Sequence, residues 1–135
     1  MPTRAAGSFD VKTSPLPPED ATGGAAIGRF VLDKQFHGDL EAVSKGQMLG
    51  AGNPATGTAG YVAMEHVTGT LHGRSGSFAL QHNGTMGGGK FNLNVIVTPG
   101  SGAGELAGIE GSMTIIIEGK KHSYEFDYTL PEPPH

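Results

Sequence analysis

From His122 to Leu130 apolar or aromatic residues alternate with polar ones: His122, Tyr124, Phe126, Tyr128 and Leu130 against Ser123, Glu125, Asp127 and Thr129. That period of two gives a β-strand one apolar and one polar face. Strand-like patterning recurs over eight segments, 4–13, 26–36, 40–49, 58–72, 77–86, 90–98, 106–118 and 122–130, separated by glycine-rich, proline-containing or polar turns. The seventh ends in Met113-Thr114-Ile115-Ile116-Ile117, a β-branched run suited to a pleated surface. With 23 glycines among 135 residues a helical bundle is disfavoured, since each glycine inside a helix costs up to about 1 kcal/mol against alanine.

Eight short strands have few ways to avoid an exposed sheet edge, and closure removes the edge altogether. The expected fold is therefore all-β: one eight-stranded antiparallel β-barrel spanning residues 1–135, with a loose connector over 14–25 and a loose tail over 131–135. Turns at Gly73-Arg74-Ser75-Gly76 and Gly119-Lys120-Lys121 make hairpins of strands four and five and of strands seven and eight. Counting outward from 73–76 pairs His72 with Ser77 and Val67 with His82. A barrel of eight strands has an interior that side chains can fill or that can hold one small ligand.

Several function classes drop out. Nine Lys and Arg against 13 Asp and Glu leave a formal charge of −4, so the basic footprint of a nucleic-acid binder is missing. The absence of cysteine removes disulfides, thiol catalysis and Cys-ligated metal. Six histidines show no tight ligand spacing, and the glycine runs at 87–89 and 100–104 lack the Gly-Lys-Ser/Thr of a phosphate loop, so neither metal nor cofactor is expected. Neither the opening residues 1–12 nor any later stretch is apolar enough for a signal peptide or a membrane span, which makes a soluble cytoplasmic protein the expectation.

Three stretches carry a resemblance: Asp33 to Ala42, Gly60 to Phe78 with Glu65-His66-Val67-Thr68-Gly69-Thr70-Leu71-His72-Gly73-Arg74 at its centre, and His122 to Tyr128. Over residues 3–130 the chain resembles a bacterial domain-of-unknown-function family, number three-two-two-four. The resemblance implies a barrel similar to that of allene oxide cyclase, a shape shared with dirigent proteins and some natural-product cyclases. It implies no agreed activity, so the site has to be argued from residues.

On the fourth strand Tyr61, Ala63, Glu65 and Val67 share one face. Were that face to line the barrel, desolvation would raise the Glu65 pKa and make it a general acid or base near neutrality. The alternative is a carboxylate paired with an arginine across the sheet. His82 shares a face with Phe78 and Leu80 on the fifth strand, and the hairpin makes it a diagonal neighbour of Glu65, roughly 7–8 Å away at Cα. Glu65 and His82 are thus the candidate catalytic pair, with Tyr61, Phe78, Gln81 and Arg29 as candidate ligand-binding residues. The expected function is binding of a small apolar or aromatic molecule, with cofactor-independent isomerase or cyclase chemistry as the catalytic version. The alternatives are a carrier or sensor without chemistry and a structural homo-oligomer, which apolar residues on both faces of strands four and seven would support.

Overall fold

The computed structural model describes residues 2–16, 27–53 and 55–131. Among them the chain forms nine strands and no helix: β1 Thr3–Leu16, β2 Gly28–Gly38, β3 Leu40–Asn53, β4 Thr58–Leu71, β5 Arg74–Gly87, β6 Lys90–Val97, β7 Ala103–Gly104, β8 Glu110–Glu118 and β9 Lys121–Thr129. The sheet runs β4-β3-β2-β1-β9-β8-β6-β5, and pairing of β4 with β5 closes it into an eight-stranded antiparallel barrel. The two-residue β7 adds to the rim by pairing with Gly76 and Ser77 of β5. No described helix is long and apolar enough to cross a membrane.

The strands follow the expected segments with two informative departures. The β4–β5 hairpin turns on two residues, His72 and Gly73, both with positive φ (48° and 81°), so Leu71 faces Arg74 and Ala63 faces His82. A primed two-residue turn matches the right-handed twist of its strands, which the longer 73–76 turn does not. The register therefore lies four residues from the expected one, an even shift that keeps every side chain on its expected face. Secondly, 106–109 is not strand. Leu106 N donates to Ala103 O at 3.2 Å and Ile109 N to Leu106 O at 3.1 Å, turns that press Leu106 and Ile109 into the core. Of the expected connector, 14–16 extends β1 and 17–26 lies outside the described residues, as do 132–135 of the tail.

Parity divides the barrel wall. Inward positions are odd on β1, β4, β6 and β8 and even on β2, β3, β5 and β9, as the buried residues show. At the end holding the β2–β3 and β4–β5 turns the interior is solid. Phe9 and Tyr124 each pack against Phe36 with ring centroids 5.6 Å apart, and Phe78 stacks on Phe126 at 5.6 Å. Burial of such rings is the main favourable contribution to folding here.

Candidate functional site

Directly above the aromatic plug, β2, β3, β4 and β5 each contribute one inward polar side chain: Lys34, Ser44, Glu65 and His82. Glu65 is 1% exposed. Its Oε1 accepts from Ser44 Oγ at 2.7 Å, and its Oε2 accepts from Lys34 Nζ at 2.8 Å and from His82 Nε2 at 2.5 Å. The Lys34 ammonium also stands 5.1 Å from the centre of the Phe9 ring and 5.8 Å from that of Phe36, a cation over aromatic faces.

Local sequence builds this convergence. Lys34 is opposite Ser44 across the β2–β3 ladder, and Glu65 is opposite Gly46 on β3. A Cβ at Gly46 would stand 2.1 Å from the Met64 carbonyl oxygen and 2.6 Å from Glu65 Cα, so the closely packed wall at this point admits no side chain. The vacant position leaves Glu65 a path across β3 to the lysine on β2.

Burial alone would raise the Glu65 pKa. The hydrogen bond from His82 and the charge of Lys34, with smaller contributions from the charge of His82 and the hydrogen bond from Lys34, outweigh it and bring the carboxyl to about 2. The expectation of a carboxyl raised toward neutrality is thus reversed, because the hydrogen bond from His82 and the charge of Lys34 together outweigh burial, and the cation against the carboxylate is a lysine where an arginine was the alternative. Glu65 is a fixed anion and a weak base.

Toward the other end the barrel opens as a funnel of about 530 Å³. Phe30, Met48, Tyr61, Met86 and Phe91 form its walls, and inward-facing glycines at 28, 50, 52 and 84 supply its width. Tyr61 joins funnel to cluster: its ring lies over Gly84, where a Cβ would come within 2.4 Å of it, and its centroid is 6.3 Å from that of His82. Burial, then the charge of Glu65, raises the Tyr61 pKa, so its hydroxyl stays a proton donor.

Glu65 and His82 therefore come together inside the barrel, with Tyr61 between them and the funnel. Phe78 also points inward, but it is completely buried in the plug and does not line the funnel. Arg29 and Gln81 lie on the outer face, where they line a separate groove with Gln47, Val62, Met64 and Ile96. An odd position on β2 or β5 points outward, so neither residue reaches the lumen. Lys34 and Ser44 were missed, although the alternation Phe30, Leu32, Lys34, Phe36 puts a charge on an otherwise apolar face, the same signal that singled out Glu65.

A family model described as protein of unknown function (DUF3224) matches residues 5–128. A crystal structure of a protein with unknown function from that family, from Shewanella oneidensis MR-1, is 48% identical, with a TM-score of 0.90 over 98% of this chain and 100% of that one. No curated protein matches.

Proposed function

The chain belongs to the DUF3224 family, and on that premise we propose that it binds a small apolar or aromatic molecule in the open half of its barrel. The funnel carries this reading. Its volume, about 530 Å³, falls in the range of small-molecule sites, and its walls are almost wholly carbon with one phenol at the floor. Aromatic and thioether walls with flexible methionines suit a ligand recognised by shape and dispersion.

The test is binding of an apolar fluorescent probe, N-phenylnaphthylamine, by the purified chain and by Gly50→Leu. A Cβ at Gly50 meets only ordinary contacts at 3.7 Å, so the variant folds while its side chain enters the funnel. Saturable fluorescence enhancement that Gly50→Leu removes supports the reading. Equal enhancement by both proteins overturns it.

A second reading, self-association, rests on the outward apolar side chains Leu49, Val62 and Met64 on β3 and β4, each close to half exposed. Met64→Asp leaves an oligomer intact if that face is free and dissociates it if the face is shared, which sedimentation measures.

A further inference from the structure

Among the residues that line the funnel only Tyr61 and Thr85 carry a polar side chain. Thr85 holds an odd position on β5 and points outward, which leaves the Tyr61 hydroxyl as the one polar side-chain group that the described residues present to the funnel. No described residue hydrogen-bonds that hydroxyl. Every fully buried polar side-chain atom among the described residues has a partner, so the hydroxyl is not sealed away, and because Tyr61 points inward it opens on the funnel. The ring occupies the space that Gly84 leaves on β5, where a Cβ would stand 2.4 Å from Tyr61 Cε1.

Burial first, then the charge of Glu65, raises the Tyr61 pKa, so the phenol remains a donor across the neutral range. A ligand that strips water from such a donor without replacing the lost hydrogen bond binds at a penalty, and an oxygen acceptor on the ligand removes that penalty. The charge felt at the phenol is that of the Glu65 anion, which disfavours a second negative group there.

We propose that the Tyr61 hydroxyl is the specificity-determining group of the funnel, and that the ligand is an uncharged aromatic molecule with one oxygen acceptor at its leading end, such as an aryl ketone. The inference rests on the reading of the funnel as a ligand site. Phe30, Met48 and Met86 grip any apolar body of the right size and discriminate little. The single donor at the floor fixes which end enters first and rejects bodies that bring no acceptor.

The experiment measures displacement of N-phenylnaphthylamine by β-acetylnaphthalene, β-ethylnaphthalene and β-naphthoate at neutral pH, with the purified chain and with Tyr61→Phe, which keeps the ring and removes the hydroxyl. Tyr61→Phe should weaken the ketone about tenfold and leave the ethyl compound within about twofold, while naphthoate competes least well for the wild type. Ketone affinity unchanged by Tyr61→Phe, with N-phenylnaphthylamine still bound, overturns the role of Tyr61 and leaves the ligand site standing. Naphthoate competing as well as the ketone overturns the uncharged class. Absence of N-phenylnaphthylamine binding by the wild type overturns the ligand site itself. Isotope-edited infrared spectra of the ketone on wild-type protein need no variant: its carbonyl stretch should lie below the value in hexane, as it does in an alcohol. A hexane-like stretch sinks the proposal even where Tyr61→Phe fails to fold.

Discussion

The two halves of the barrel share strands, β3 and β5 among them, and differ in what those strands point inward at each level. On β5 the inward sequence runs Phe78, Leu80, His82, Gly84, Met86, and on β3 it runs Leu40, Ala42, Ser44, Gly46, Met48, Gly50. One half receives rings and branched chains and is packed solid. The other receives glycines and methionines and stays hollow. Between them lies the layer of Lys34, Ser44, Glu65 and His82. Strand topology thus sets the diameter of the wall, while side-chain volume at each level decides between plug and pocket. Stability should accordingly reside below the polar layer and binding above it.

The sharpest way to break that division is to empty the plug. Phe78→Ala removes a completely buried ring stacked on Phe126 and is expected to cost about 4 kcal/mol in denaturant titration, while any surviving native protein keeps its funnel. A cost below about 1 kcal/mol would mean that the packed half does not carry the fold. Next comes the polar layer. Lys34→Met leaves a buried carboxylate without its ammonium and should destabilise by about 3 kcal/mol; replacing Lys34 by Met and Glu65 by Leu together should recover part of that loss, since an apolar pair replaces an orphaned charge.

Acid probes the same layer without mutation. Glu65 has a folded pKa of about 2 against an ordinary 4.5, so the unfolded chain takes up the proton first as pH falls. The stabilisation is complete above the unfolded value and is lost between about 4.5 and about 2. Wild-type melting temperature should fall across that window more steeply than that of Glu65→Gln, which has no carboxyl to titrate there. Parallel curves would mean that Glu65 is no better stabilised as an anion in the barrel than in the unfolded chain.

Much of this was legible in the alternation of the chain. Period two assigned Tyr61, Glu65, Phe78 and His82 to inward faces, and the cost of an open edge implied closure. The Glu65–His82 juxtaposition survived a misread turn because a slip of four residues preserves the face, and because Glu65 lies two places from the partner of His82 in either register. What stayed hidden depends on neighbours far apart in sequence. The partner of Glu65 is a lysine two strands away, reached only because Gly46 leaves the intervening strand bare, and no local pattern encodes that path. The parting of Arg29 and Gln81 from the funnel has a simpler cause: odd positions on β2 and β5 point outward, so both line the outer groove instead. Leu106 and Ile109 were read as strand because apolar spacing within a tight turn resembles the start of a β-branched run.

The smallest expected effect is the most diagnostic of the hollow half. Phe91 is 57% exposed at the funnel rim, on β6, where it faces Met86 across the β5–β6 ladder. Truncation to alanine removes little buried area, so stability should change by less than about 0.5 kcal/mol. The same ring supplies one wall of the binding space, and its loss should weaken N-phenylnaphthylamine binding by about tenfold, in proportion to the apolar contact removed from the ligand. A ring that matters to the ligand and not to the fold is the signature of a functional cavity. Were Phe91→Ala to destabilise the chain by as much as Phe78→Ala, with binding unchanged, the rim would be core and the division between the two halves would fail.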